Sequence, residues 1–220
     1  MPLQLVIGNK NYSSWSMRPW LALRANNIAF EEIFIPLYTD NKADKERILS
    51  FSRAGKVPAL IDGDITVWDS LAIIEYIAER FPEAGLWPED RGSRAHARSI
   101  SAEMHSGFRP LREHLSMELL ERHPGVGVNH PAAAADIKRV DQIWCEARER
   151  WGKQAGGPYL FGHFTIADAM YTPVVTRFRT YAAHVDSMCH NYMETILNDP
   201  DFLAWEAQAE LDPPPEPLPA

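Results

Sequence analysis

Three serines stand within four positions of residues 11–20, NYSSWSMRPW, between an apolar run and a helical pattern. Hydroxyl groups at such a place could cap the helix that follows, or they could hold a reactive group. A nucleophilic serine needs a base to activate it, but no Ser-His-Asp set is evident and no GxSxG motif occurs. The pattern therefore argues against a serine hydrolase and leaves two roles open, helix capping and hydrogen bonding to a charged partner.

Two further segments could bind a small molecule. Residues 56–60, KVPAL, place a proline directly before the edge of a predicted hairpin. Asp69 and Ser70 precede a helical pattern, and by themselves they favour an ordinary helix cap. A helix N-terminus also presents unpaired N–H groups and a partial positive charge, which suit a carboxylate.

The elements that must position these residues alternate in type over the first 80 residues. Pro19 is expected in the first turn of its helix, where a missing N–H costs little. The predicted order is β-α-β-α-β-β-α, which indicates an α/β layer with a partly parallel sheet. In chain order the predicted elements are a strand at 3–8, a helix at 17–25, a strand at 30–37, a helix at 41–52, a hairpin at 58–68 and a helix at 70–81.

From residue 91 onward the strand signals stop and long amphipathic helical patterns follow. Thr165 and Asp168 have the T-x-x-D spacing of a capping box, which predicts a helix start. We therefore predict an α/β domain at 1–83, an all-α domain at 91–211 and a proline-rich mobile tail at 212–220.

Composition excludes several classes of function. The chain has 220 residues with a formal net charge of -8, and nucleic-acid binding needs a basic surface instead. Neither a signal peptide nor an apolar run of membrane-spanning length is found, so we expect a cytoplasmic protein without a membrane partner. Cys145 and Cys189 lie far apart in the sequence and form no CxxC pair, so we expect neither a disulfide framework nor a metal site.

Three segments together resemble the glutathione transferases over nearly the whole chain: KVPAL at 56–60, DSLAIIEYI at 69–77 and FTIADAMYTP at 164–173. Within that superfamily, SSWSMR is similar to the Ser-Ser-Cys-Ser-x-Arg pattern of the serine-type zeta class. Trp15 stands where that pattern has cysteine. The resemblance implies a thioredoxin-like first domain, a helical second domain and a homodimer.

The resemblance also implies a role for the serines. Ser13, five residues before Arg18, takes the position of a hydroxyl that donates a hydrogen bond to the glutathione thiolate; Ser14 could support or replace it, and Ser16 is expected to cap the helix. Tyr12 is a rival hydroxyl. A hydrogen bond to a charged group contributes about 1.5–3 kcal/mol, which would lower a thiol pKa by about one to two units. Arg18 is expected to form an ion pair or to orient the loop.

The glutathione-binding residues follow from the same resemblance. A cis Val57–Pro58 bond would turn the Val57 backbone toward the cysteinyl backbone of glutathione, as an added strand. Ser70 would bind the γ-glutamyl carboxylate and Asp69 the γ-glutamyl ammonium group. Lys56 and Lys42 would meet the glycine carboxylate.

The predicted function is a glutathione transferase that activates the glutathione thiolate for attack on a small electrophile. One alternative is a zeta-like cis-trans isomerase acting on maleylacetoacetate or maleylpyruvate, and the other is a non-catalytic binding or regulatory protein. A thiol oxidoreductase would need a cysteine in the serine loop, and none is there. The candidate residues of an apolar acceptor pocket are Trp15, Met104, His105, Phe108 and Met117.

Overall fold

The structure, a computed structural model, describes residues 2–37, 39 and 41–213. Its strands are β1 (Leu3–Ile7), β2 (Phe30–Phe34), β3 (Ala59–Asp62) and β4 (Ile65–Trp68). Its α-helices are α1 (Ser14–Arg24), α2 (Lys42–Phe51), α3 (Ser70–Arg80), α4 (Arg91–Ser106), α5 (Arg109–His114), α6 (Pro131–Ala147), α7 (Ile166–Tyr181), α8 (Ser187–Leu197) and α9 (Pro200–Ala209). A 3-10 turn (Pro82–Ala84) and a π-helical turn (Arg148–Gly152) complete the regular structure of the described residues.

The four strands form one mixed sheet in the order β2-β1-β3-β4. β1 runs parallel to β2, with Leu3 opposite Phe30, and antiparallel to β3, with Leu5 opposite Leu60. A parallel pair needs a crossover connection, and α1 supplies it. The predicted thioredoxin-like α/β domain, followed by a helical domain, is confirmed.

The start of α1 differs from the prediction. The helix begins at Ser14 rather than at residue 17, and Ser13 is its N-cap residue, with its Oγ 3.4 Å from the Ser16 N–H that it accepts. The prediction that Ser16 caps the helix is therefore wrong. Pro19 is the sixth residue of the helix and not part of its first turn, so the Trp15 carbonyl lacks its usual intrahelical donor. Packing of α1 against α3 and α7 overrides this local cost.

Helix α7 is the centre of the second domain and is buried along nearly its whole length. The predicted capping box at its start is confirmed. The Asp168 Oδ2 accepts hydrogen bonds from the Thr165 N–H at 2.8 Å and the Thr165 hydroxyl at 2.9 Å, and Oδ1 accepts one from the Leu160 N–H at 3.0 Å.

The chain beyond α9 returns to the first domain. The Asp212 carboxylate accepts a hydrogen bond from the Lys10 N–H, and the Pro213 carbonyl accepts one from the Asn9 side chain at 3.2 Å. The rest of the tail predicted at 212–220 lies outside the described residues, and the predicted boundaries at 83 and 91 stay predictions. None of the described helices is both long and apolar enough to cross a membrane.

The two cysteines that are distant in sequence are neighbours in space. Packing of α6 against α8 brings the sulfur atoms of Cys145 and Cys189 to 2.9 Å from each other. Chain separation places no limit on such contacts between packed helices, and both cysteines are free thiols here.

Candidate functional site

A cavity of about 520 Å³ opens where the sheet domain meets the helical domain. It brings together five of the eight residues that the sequence predicts for the site: Lys56, Val57, Pro58, Asp69 and Ser70. The other lining residues are Trp15, Ala54, Trp68, His105 and Arg112. Ser13, Ser14 and Lys42 are not among the residues that line it, and Lys42 lies exposed at the start of α2.

Ser70 contributes a buried polar group to the cavity wall. It is the first residue of α3, its exposed fraction is 2%, and its Oγ has no hydrogen-bond partner among the described residues. A buried hydroxyl without a partner costs free energy, and such groups are rare in folded proteins. The Ser70 hydroxyl is therefore available to a partner outside the chain.

Asp69 caps the same helix from a backbone conformation that side chains rarely adopt, with φ at 77°. Its Oδ1 accepts hydrogen bonds from the N–H groups of Leu71 and Ala72, at 3.0 and 3.3 Å. Its Oδ2 lies 3.2 Å from the Nε2 of His105, which belongs to α4 of the second domain. The Asp69 carboxylate thus fixes the start of α3 and also contacts the helical domain across the cavity.

The Val57–Pro58 peptide bond is cis, as predicted from the resemblance. Pro58 is buried and directly precedes β3, while Lys56 is exposed at the rim of the cavity. The segment therefore presents backbone at the cavity wall and a cation at its edge.

Trp15 separates this cavity from a second one. The second cavity, also about 520 Å³, is lined by Trp15 and Arg112, which belong to both, together with Tyr12, Ser14, Ser116, Met117, Glu118 and Arg177. Ser14 thus lies on the wall of the second cavity. Of the predicted acceptor residues, Met104 and Phe108 lie instead in the hydrophobic core.

Ser13 is not among the residues that line either cavity. Its Oγ is 2.7 Å from the Oγ of Ser16, which in turn accepts a hydrogen bond from the Gly8 N–H at 3.2 Å. Because hydroxyl protons rotate, Ser16 can donate to Ser13 and leave the Ser13 proton free for another acceptor. Ser13 and Ser16 therefore form a connected pair of hydroxyls at the N-terminus of α1.

Arginine side chains surround Trp15. The Arg18 guanidinium lies 4.2 Å from the centre of the indole ring, and that of Arg112 lies 5.4 Å from it. Burial, followed by the nearby charges of Arg177 and Arg112, lowers the pKa of Arg18 to about 9. Arg18 donates to the Met170 carbonyl at 3.1 Å and so joins α1 to α7. Of its two predicted roles, no ion pair is found among the described residues, and orienting the loop stays a prediction.

Arg112 and Arg177 are the site residues that the sequence analysis missed. They lie on α5 and α7, far from the serine loop in sequence, and neither belongs to a motif. Only the packing of the two domains brings them to Trp15.

Comparison with known proteins shows the family of the chain. Residues 12–80 match the model of the glutathione S-transferase N-terminal domain, and residues 95–207 match that of the C-terminal domain. The chain belongs to the glutathione S-transferase family.

Two relatives place this glutathione transferase near the zeta class. A probable maleylacetoacetate isomerase of Caenorhabditis elegans is 32% identical over 198 residues, covering 87% of this chain and 88% of that protein. Glutathione S-transferase Z2 of Arabidopsis thaliana is 33% identical over 171 residues, covering 76% of this chain and 74% of that protein. The prediction that the chain is a zeta-like glutathione transferase enzyme is confirmed.

A solved structure shares the fold. A glutathione transferase homolog from Burkholderia GL BGR1, with bound glutathione, matches with a TM-score of 0.69 at 24% identity. The match covers 96% of this chain and 98% of that one. The two-domain fold thus extends over nearly the whole chain.

Proposed function

We propose that this enzyme binds glutathione in the first cavity and activates its thiolate for attack on a small electrophile beside Trp15. The observation that carries the proposal is the buried Ser70 hydroxyl, which has no partner and lies at a helix N-terminus. A carboxylate bound there would gain the hydroxyl and the helix dipole together.

The remaining groups of the cavity match the remaining groups of glutathione. The Val57 backbone would pair with the cysteinyl backbone, and the Asp69 carboxylate would face the γ-glutamyl ammonium group. Lys56 would meet the glycine carboxylate at the rim, with Lys42 as a more distant candidate. This arrangement directs the glutathione thiol toward the N-terminus of α1.

The thiolate is held by a serine hydroxyl in this proposal. A hydrogen bond from the Ser16 hydroxyl would strengthen Ser13 as a donor, whereas Ser14 lies on the wall of the second cavity. Either bond would contribute about 1.5–3 kcal/mol, and the α1 dipole would act in the same direction. The thiol pKa would thereby fall from about 8.5 toward neutral pH.

One observation favours isomerisation as a second candidate function. The guanidinium groups of Arg112 and Arg177 line the second cavity, where they would attract the carboxylates of maleylacetoacetate or maleylpyruvate. In this reaction the thiolate adds to one carbon of the double bond, the former double bond rotates as a single bond, and elimination restores both the double bond and the thiolate. Trp15 in place of the cysteine of the zeta pattern reshapes the cavity in which that rotation would occur.

Glutathione binding is tested first, by retention on immobilised glutathione and by calorimetry. Conjugation kinetics then compare the wild type with Ser13→Ala, Ser14→Ala and the double variant. Loss of one thiolate hydrogen bond should lower kcat/KM about 10- to 100-fold in the variant that removes the donor. Glutathione that does not bind would refute the proposed function, and a double variant with full activity would refute the serine mechanism alone.

The isomerase function is tested with maleylacetoacetate and maleylpyruvate. Arg112→Ala should raise KM for these substrates about tenfold, while Arg109→Ala, an exposed change on the same helix, should leave it unchanged. Equal KM values in the two variants would remove the reason for preferring a carboxylate substrate. A protein that binds glutathione but turns over neither electrophiles nor maleyl substrates would instead be a binding or regulatory member of the family.

A homodimer and a cytoplasmic location complete the proposal, and both rest on the family. Light scattering of the purified protein measures the first, and cell fractionation the second.

A further inference from the structure

The chain contains two cysteines, and the structure brings them together outside the candidate site. Cys145 lies on α6 and Cys189 on α8, with 2.9 Å between their sulfur atoms. A disulfide bond measures about 2.05 Å, so the two sulfurs are less than about 1 Å from bonding distance.

The surroundings of the two thiols are unequal. Cys189 is fully buried and donates to the Asp141 carbonyl at 3.3 Å, whereas Cys145 is half-buried and is the thiol that a reagent reaches first. Burial raises the pKa of both thiols. Neither is therefore a strong nucleophile at neutral pH, and the pair is unsuited to rapid redox catalysis.

We propose that Cys145 and Cys189 are a redox-sensitive pair that closes into an intramolecular disulfide between α6 and α8, with glutathione disulfide as the oxidant. The Cys145 sulfur attacks glutathione disulfide, loses its proton to the departing thiolate and forms a mixed disulfide. The Cys189 sulfur then attacks the Cys145 sulfur and releases a second glutathione. Two protein thiols are oxidised, and one glutathione disulfide is reduced to two glutathione molecules.

A metal ion fits this pair less well than a disulfide does. Asp141, Cys145 and Cys189 place one ligand atom each within 4.8 Å of one another, which resembles part of a zinc site. Two thiolates on one tetrahedral zinc ion, however, lie about 3.7 Å apart, because each Zn–S bond is about 2.3 Å long. The sulfurs are closer than that, and the Asp141 Oδ1 already accepts a hydrogen bond from the Asp186 N–H at 2.8 Å.

The disulfide would cross-link two helices of the second domain. The bond would join residues 44 positions apart, and α6 and α8 pack against each other and, around Trp144 and Tyr192, against α7. A cross-link over a loop of this length restricts the unfolded chain and so stabilises the fold. Neither cysteine lines the candidate cavities, so oxidation should change stability and leave catalysis unchanged.

The experiment equilibrates the full chain in buffers of rising glutathione disulfide to glutathione ratio, then quenches with acid and alkylates the denatured protein. Intact mass distinguishes the products. We expect a monomeric chain that has lost two hydrogen atoms and takes up no alkylating agent, with a melting temperature about 5–10 °C higher than that of the reduced protein. The variants Cys145→Ser and Cys189→Ala, in the same buffers, should show no redox-dependent shift in melting temperature. Any shift that they do show measures the effect of glutathione bound at the candidate site, and it is subtracted from that of the wild type.

Three results would overturn the proposal. The first is two alkylated cysteines at the most oxidising ratio. The second is a product that stops at one attached glutathione or that links two chains. The third is zinc that is retained stoichiometrically by the wild type and lost in Cys145→Ser. None of these results depends on catalysis, so the proposed function can fail while the disulfide stands.

Discussion

Two helices of this enzyme begin with a carboxylate and a hydroxyl, yet their N-termini differ in what they leave unpaired. At α7 the Asp168 carboxylate accepts three hydrogen bonds inside the protein, and the Thr165 hydroxyl is one of the donors. At α3 the Asp69 carboxylate caps the helix, but the buried Ser70 hydroxyl next to it has no partner.

The difference separates a structural cap from the proposed binding site. Both segments satisfy the sequence pattern of a helix start, so the pattern alone assigns them the same role. A cap that satisfies all its own groups has nothing left to offer a ligand. A buried group without a partner costs stability in the free protein, and a ligand that satisfies it recovers that cost on binding.

The largest expected effect is the loss of stability on removing the Asp168 carboxylate, whose hydrogen bonds are all made inside the protein. Asp168→Ala should lower the free energy of unfolding by about 3–5 kcal/mol, because it leaves buried donors of Leu160 and Thr165 without an acceptor. Denaturant unfolding measures the change. A decrease of less than about 1 kcal/mol would show that the hydrogen bonds of Asp168 do not stabilise the start of α7, and would contradict the comparison.

The same carboxylate predicts a pH effect. Burial raises the pKa of Asp168 to about 6, from 3.8 in an unfolded chain. Between these values the folded state binds more protons than the unfolded state, so this group's contribution to stability falls as pH rises, by about 3 kcal/mol in total. Asp168→Asn cannot titrate, and the difference in unfolding free energy between it and the wild type should therefore change between about pH 4 and 6. A constant difference across that range would contradict the shift.

Removing the unpaired hydroxyl at the start of α3 should instead weaken ligand binding and leave stability unchanged. Ser70→Ala should weaken glutathione binding about 10- to 100-fold, which corresponds to about 1.5–3 kcal/mol for a hydrogen bond to a charged group. It should not lower the melting temperature, since it removes a buried group that has no partner. Calorimetric titration and thermal unfolding test both halves, and a clear loss of stability with unchanged affinity would make Ser70 a structural residue.

The smallest effect concerns charge at the α3 cap. Asp69→Asn keeps an oxygen that can accept from the Leu71 N–H but removes the negative charge proposed to face the γ-glutamyl ammonium group. We expect glutathione affinity to fall about fivefold, with stability within about 0.5 kcal/mol of the wild type. Glutamyl analogues that lack the amino group provide the control, because they should bind both proteins equally.

Much of the fold was predictable because its signals are local. The Asp-Gly turn between β3 and β4, the apolar face of α3 and the capping box of α7 each depend on neighbouring residues. The start of α1 was not predictable in the same way. Three serines offer three caps of similar quality, and the choice of Ser13 depends on the contact of Ser16 with Gly8 and on packing against α7.

The sequence by itself determined the order of elements, the family and five of the residues that meet in the cavity. The order of elements follows from periodicity, whose physical causes act over a few residues, whereas the family and the site residues follow from the resemblance of short motifs to a known family. Only the tertiary structure decided which hydroxyls are paired, which arginines surround Trp15 and that Cys145 touches Cys189. Each of these depends on contacts between elements distant in the chain, and those contacts exist only after the two domains have packed.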